Sequence, residues 1–373
     1  MMGTVTQNLD VLVLTALTEE QQVVRAVLQQ AGTPGAEVHG VATYEYAAPG
    51  GDRYLIGTAC AHAMGAVSMV AFATRLFANG VRPACAVLVG IAATIKRDEV
   101  RLGDVAVASE VFGADDIKVE GGLNTFRTHG YAVDTKLLKG AGAICESSAL
   151  YGRWRSRCQE LITPVVAELQ PFRTKPIIVP AAIPTPFLHQ SAGAGGPFLV
   201  SDQKFGDALR NGSAQWGSVH PKLAWVEMEA HGFMKAAHDA EVPAIVIKGI
   251  SDGGDAGKAR LERKTGGFVR AYSCANSVLA LLHILDQKPR EPIPRLLRMA
   301  ESDAGAASTL TTGVERRVAA HIKDFLGVYA DAPFCGRDVE SAALTAWLAD
   351  PATPNALILA EAGRGKSALV VHW

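Results

Sequence analysis

The stretch that decides the fold is 225–255, WVEMEAHGFMKAAHDAEVPAIVIKGISDGGD. It begins extended, turns at Glu227 and Glu229 into a helical pattern reaching about residue 238, and continues as an apolar strand over 242–250. That strand runs into Ser251, Asp252, Gly253 and Gly254, which puts a third carboxylate on a glycine-flanked turn at a strand's C-terminal end. In open α/β sheets, ligands bind at the carboxyl ends of the strands. One segment thus brings three acids and Met228 to the ligand edge. Paired carboxylates can accept the protons of adjacent hydroxyls, and an Asp partly removed from water can hold a proton near neutral pH. Singly, these residues have plainer uses. Acids in a first helical turn complement the helix dipole, and Asp is a common turn former. Together the string is more specific than those uses.

The same alternation continues outward. Residues 9–14 (LDVLVL) make a first strand, and Thr15, Ala16 and Leu17 turn it into a helix to about 31 with Glu19 and Glu20 in its first turn. Two strands flank Pro49-Gly50-Gly51 within 44–59. The loop 58–65 (TACAHAMG), whose single titratable side chain of note is His62, opens a helix to about 78. A strand at 84–89 ends in Gly90-Ile91-Ala92-Ala93-Thr94, small residues that let a flat ligand approach the backbone. Further elements are a strand at 105–111, a helix at 148–170 and an amphipathic helix at 268–285, with a polar loop at 113–130. The cluster SAGAGG (191–196) reads as a flexible turn. Lacking a clear strand before it or a helix after it, it is rejected as a phosphate cradle. Alternating strands and helices define an α/β domain around a mostly parallel or mixed central sheet flanked by helices.

Composition excludes several classes. With 36 Lys and Arg against 37 Asp and Glu, the chain carries no basic excess to bind nucleic acid. Six widely spaced Cys without a C-x-x-C read as reduced thiols rather than a disulfide or zinc framework. No apolar run approaches a membrane span, and MMGTVTQNLD lacks a signal-peptide pattern. A cytoplasmic protein with neither nucleic-acid nor membrane partners is expected.

Trp-Val-Glu-Met-Glu-Ala followed by Lys-Gly-Ile-Ser-Asp-Gly-Gly-Asp resembles the nucleoside phosphorylase and methylthioadenosine/S-adenosylhomocysteine nucleosidase superfamily. The resemblance spans a domain at 9–286 and implies a nucleoside phosphorylase-like fold, a homo-oligomer and a small-molecule purine nucleoside or nucleotide as partner. In that family the Met-Glu pair holds the ribose, and the Asp of the Ser-Asp turn protonates N7 of the departing purine. It therefore implies Met228 and Glu229, with Glu227, for the ribose and Asp252 as general acid. Glu20, with Glu19 as fallback, corresponds to the acid that positions the attacking water. Ala92, Ser251 and Phe205 complete the implied substrate-binding set, Phe205 on the base. The family's Gly-Gly is Ala93-Thr94 here. An acid at Glu20, and no Arg matching the family's phosphate-holding places, favour hydrolysis over phosphorolysis. No metal or cofactor is expected for the cleavage.

After 286 the text changes. KPREPIP and then SDAGAASTLTTG read as a linker at 287–312. The part 313–373 contains FCGRD (334–338) and a strand at 356–359 that enters Ala360-Glu361-Ala362-Gly363-Arg364-Gly365-Lys366-Ser367. Strand, glycine loop and helix make a P-loop. Backbone amides around Gly363 and Gly365 cradle phosphates, Lys366 reaches the β- and γ-oxygens, and Ser367 holds Mg²⁺. FCGRD resembles the entry to NACHT and other STAND ATPases. With six residues after Ser367, this part reads as the opening of a truncated module that takes Mg-ATP when whole. Nucleosidase-like domains joined to such ATPases resemble immune-receptor effectors, some of which destroy adenine nucleotides. That resemblance implies cleavage of ATP to adenine and ribose triphosphate in antiphage defence. Lys96, Arg97, Arg127 and Lys204 are cations available to a triphosphate, and spacing selects none of them. Two other classes stay open: a methylthioadenosine/adenosylhomocysteine nucleosidase or purine nucleoside phosphorylase, and a catalytically silent nucleotide-sensing module.

Overall fold

Every residue of Val11–Thr15 is buried, as a strand covered on both faces requires. In the computed structural model this strand, β1, is followed by α1 (Thr18–Ala31), β2 (Thr33–Pro34), β3 (Ala42–Ala47), β4 (Arg53–Cys60), α2 (Ala66–Ala78), β5 (Cys85–Thr94) and β6 (Val105–Gly113). A hairpin of β7 (Ile117–Glu120) and β8 (Leu123–Phe126), then β9 (Tyr131–Ala132), lead to α3 (Thr135–Glu146) and α4 (Ser148–Leu169). The fold continues with β10 (Leu188–Gly195), β11 (Leu223–Glu227), α5 (Ala230–Asp239), β12 (Ala244–Asp252), α6 (Gly257–Thr265) and α7 (Phe268–Asp286). The structure describes residues 9–96, 98–113, 117–120, 123–126, 130–195, 222–254, 257–287 and 345. The chain divides into units 1–298 and 299–373. Phe205, Arg97, Arg127, Lys204, Asp255, the linker beyond 287 and the P-loop residues Gly363, Gly365, Lys366 and Ser367 lie outside the described residues.

The main sheet runs β11-β10-β6-β12-β5-β1-β4-β3-β2, and β11 pairs a second time, antiparallel, with β5. Strands β5, β12, β6, β10 and β11 therefore close on themselves, while β1 to β4 extend from β5 as an open wing. β1 is parallel to β4 and β5, and β5 to β12, whereas β6 meets β12 antiparallel. The expected α/β class with a mixed sheet and flanking helices is borne out.

Small residues decide how closely the layers approach. A Cβ on Gly249 of β12 would overlap the carbonyl oxygen of Ser273 on α7. Backbone cannot yield there as a side chain could. Gly249→Ala is thus expected to lower unfolding free energy by about 1–3 kcal/mol. An unchanged denaturation midpoint would contradict this contact.

Several expectations need correction. The SAGAGG cluster is mostly strand β10, not a flexible turn, since a Cβ on Gly193 would overlap the Trp225 indole, so the glycine makes room for a core ring. The stretch 113–130 holds the β7–β8 hairpin. β12 extends through Asp252 with a register shift between Ile250 and Asp252, so the acid closes a strand rather than standing on a turn. The helix α7 is not amphipathic: nearly every residue is buried between the sheet and its neighbouring helices. At 19 residues it is also long and apolar enough to cross a membrane, contrary to expectation, yet it is a core helix of this fold. Among the described residues Cys60, Cys85, Cys145, Cys158 and Cys274 are free thiols.

Candidate active site

Four acids gather where β1, β5, β11 and β12 end. Glu20 lies in the first turn of α1 and reaches back. Its Oε2 accepts the N–H groups of Ala16 and Leu17 at 3.2 and 3.1 Å, satisfying donors that a helix start leaves open. Its Oε1 accepts the Ile91 N–H of β5 at 3.1 Å. Gly90 has φ +146, and a Cβ there would stand 2.5 Å from Glu20 Oε1, so the carboxylate fills the space the glycine leaves. Glu19 turns outward, 47% exposed, to Arg173 at 2.8 Å and Arg270 at 3.4 Å. Of the two acids, only Glu20 faces the strand ends.

β11 runs antiparallel to β5 with Val226 opposite Ala93, which brings Glu227 down beside the same strand. Glu227 caps α5: its carboxylate accepts the N–H groups of Glu229 at 3.0 Å and Ala230 at 2.7 Å. Lys248 of β12, wholly buried, places Nζ 3.0 Å from Glu227 Oε2. Burial would push the Lys248 ammonium down, but Glu227, Glu20 and Glu229 together hold it above its ordinary value.

Glu229 accepts the Gly65 N–H at 2.9 Å, tying the start of α5 to the start of α2. Burial and then the Glu227 charge push its carboxyl up to about 8, against the pull of Lys248 and the Gly65 N–H. The folded chain therefore binds more protons than the unfolded chain between about pH 4.5 and 8, and this group's contribution to stability falls as pH rises through that window. Glu229→Gln keeps an oxygen for Gly65 and removes the titration. Its thermal midpoint should decline less than the native one between about pH 5 and 8; parallel declines would refute the linkage.

Asp252, 4% exposed, closes β12 opposite Ala93. Its Oδ2 accepts the Ser251 hydroxyl at 2.9 Å and lies 3.4 Å from Lys258 Nζ, and its Oδ1 accepts the Gly254 N–H at 3.0 Å. Glu20 is bonded to Ile91 and Asp252 registers with Ala93. Their anchor points are thus separated by one strand spacing, about 4.8 Å, and two residues of rise, roughly 7 Å. Ala92 is buried opposite Ile250, and Met228 is half-buried between Glu227 and Glu229.

The structure therefore groups Glu20, Glu227 and Glu229 around Lys248, and sets Asp252 one strand away with its own partners. A cavity of about 650 Å³ lies alongside. Gln21, Arg25, Thr58, Cys60 and His62 line it, and none of the four acids does. Gln21 connects the two regions, accepting the Thr15 and Thr58 hydroxyls at 3.0 and 3.2 Å. Lys248 escaped the sequence analysis. Its signal is a single charge inside the apolar run AIVIKGI, which only a buried partner can sustain.

No protein-family model matches the chain. Over 254 residues, 66% of this chain and 46% of the other protein, it is 26% identical to "ATP nucleosidase Cap17" of Escherichia coli (strain KTE188). The chain spans about half the length of the curated relatives it matches. The 5'-methylthioadenosine/S-adenosylhomocysteine nucleosidase from Colwellia psychrerythraea 34H, solved in complex with adenine, superposes with a TM-score of 0.50 at 15% identity, over 76% of this chain and 96% of that one. The chain has a nucleosidase fold. Futalosine hydrolase of Helicobacter pylori strain 26695 gives a TM-score of 0.49 at 16% identity, over 76% and 98% of the two chains.

Proposed function

We propose that this chain is a purine nucleosidase that hydrolyses the N-glycosidic bond of adenine nucleotides, ATP foremost, to adenine and ribose triphosphate. The observation that carries this is that Glu20, from the start of α1, is anchored on β5 while Asp252 closes the neighbouring strand β12, with Glu229 at the start of α5. Three backbone N–H groups hold the Glu20 carboxylate in one orientation, as a group that must aim a water requires. Glu20 takes a proton from that water as its oxygen bonds to C1′. The C1′–N9 bond breaks, and Asp252 delivers a proton to N7 of the leaving adenine. Glu229 takes the ribose hydroxyls, with Met228 against the sugar and Glu227 fixing the backbone between them. Two opposed carboxyls with a water between them meet the same demands in inverting glycoside hydrolysis.

The nucleotide preference draws on the similarity to a protein called an ATP nucleosidase. The P-loop at Gly363, Gly365, Lys366 and Ser367 belongs, in this proposal, to a STAND-type switch that binds Mg-ATP and controls the nucleosidase in a cytoplasmic oligomer. Its support is the strand–loop–helix setting of the motif in the sequence. The test is chromatography for free base after incubation with ATP, AMP, adenosine, inosine and methylthioadenosine, with and without phosphate. Phosphate-independent adenine release from ATP is expected. A preference for uncharged 5′ groups would instead make it a methylthioadenosine-type nucleosidase, and no release from any would overturn the proposal.

A further inference from the structure

We propose that Lys258 is a substrate-sensing latch on the general acid. It occupies Asp252 until a 5′ polyphosphate draws it away, and so makes cleavage selective for nucleotides over nucleosides. This rests on the nucleosidase function proposed above.

The carboxyl of Asp252 is surrounded by donors. The Ser251 hydroxyl and the Lys258 ammonium face Oδ2, and the Gly254 N–H faces Oδ1. That is the setting of an acceptor-only carboxylate, whereas a general acid must start the reaction carrying a proton. The Lys258 ammonium stands on one of the two oxygens that would bear the proton.

Lys258 is suited to leave. It sits in the first turn of α6 and its side chain is 35% exposed, on a flexible four-carbon stem. Among the described residues, the other charged groups lining the small hollow beside Asp252 and Lys258 are Glu262 of α6 and Arg270 of α7. They pair with each other at 2.9 Å, and Arg270 also meets Glu19, which Arg173 holds from the other side. Those arginines already have acids to neutralise them. The Lys258 charge is set against Asp252 itself.

In an anti nucleotide the 5′ oxygen lies over the N7–C8 edge of the base. A purine whose N7 meets Asp252 therefore carries its 5′ phosphates toward Lys258. Phosphate oxygens offer the ammonium stronger, charge-assisted contacts than one carboxylate oxygen at 3.4 Å. With Lys258 withdrawn, Oδ2 takes a proton from hydronium or a buffer acid in the solvent and gives it to N7 as C1′–N9 breaks. A nucleoside without phosphates leaves the latch closed.

The experiment compares kcat/KM for ATP and adenosine in the native chain, Lys258→Met and Lys258→Arg. The native chain should favour ATP. Lys258→Met should lower the ATP/adenosine ratio on the order of tenfold or more, with faster adenosine cleavage that persists to higher pH. Lys258→Arg should restore most of the preference. An unchanged ratio in Lys258→Met, or an equal loss on both substrates, overturns the latch. Absence of base release from every substrate by the native chain would remove the nucleosidase function itself, and the latch with it.

Discussion

Asp252→Asn is expected to release adenine from ATP about 10²- to 10⁴-fold more slowly than the native chain, with a nearly unchanged unfolding midpoint. Asn has the shape of Asp, and its carbonyl oxygen can still accept the Gly254 N–H that now meets Oδ1. What it cannot do is deliver a proton to N7. The same step can be removed from the substrate side, because a 7-deaza adenine nucleotide offers carbon where N7 should be. The native chain should cleave that analogue poorly, and Asp252→Asn should impose little further loss on it. Steady-state base release from both nucleotides by both proteins completes the cycle. Native-rate release from ATP by Asp252→Asn would end the assignment of the acid.

How much of this was legible in the sequence depends on whether a residue's neighbours are local. Glu227 and Glu229 flank a strand-to-helix junction, and their separation is written in the chain. The structure finds them there, with Glu227 capping α5. The preference for Glu20 over Glu19 came from the family resemblance, and the structure buries Glu20 while Glu19 turns outward to Arg173. Where the deciding partner is distant, local text misled. SAGAGG has the composition of a turn, but its neighbour is the Trp225 indole, which needs a strand without side chains. The helix α7 carries Asn276, Ser273, Ser277 and His283 at intervals that mimic a wet face. Those groups instead bond inside the fold: Asn276 to the Gly103 carbonyl, Ser273 to that of Ile250 and His283 to that of Leu150. Periodicity reports polarity, and polarity equals exposure only while water is the partner. Of the donors facing Asp252, Ser251 and Gly254 are its chain neighbours, whereas Lys258 was invisible for the same reason, since it comes back from the next helix.

Lys248 is the sharpest case, and it yields the second large prediction. Its ammonium is wholly buried, 3.0 Å from Glu227 Oε2, and that carboxylate is itself almost out of solvent. Glu227 accepts two backbone N–H groups at the start of α5, a task suited to the ionised form. Lys248→Met preserves most of the buried stem and deletes the charge. Glu227 must then either stay charged without a counter-ion or take up a proton and give up part of its capping. Removing one partner of a buried pair destabilises by about 3–5 kcal/mol, and that loss is expected in denaturant unfolding of Lys248→Met. The companion variant, Lys248→Met with Glu227→Gln, removes both charges while keeping an oxygen for the α5 cap. It should recover a substantial part of the loss, because burying two neutral groups carries a smaller desolvation penalty than burying one unpaired ion. A single variant within about 0.5 kcal/mol of native would show that water reaches the pair. A double variant no more stable than the single one would show that Lys248 acts by packing rather than by charge. In the predicted outcome, the carboxylate that fixes the backbone of Met228 and Glu229 depends on its pairing with one lysine from the next strand, and the ribose-binding geometry rests on that pair.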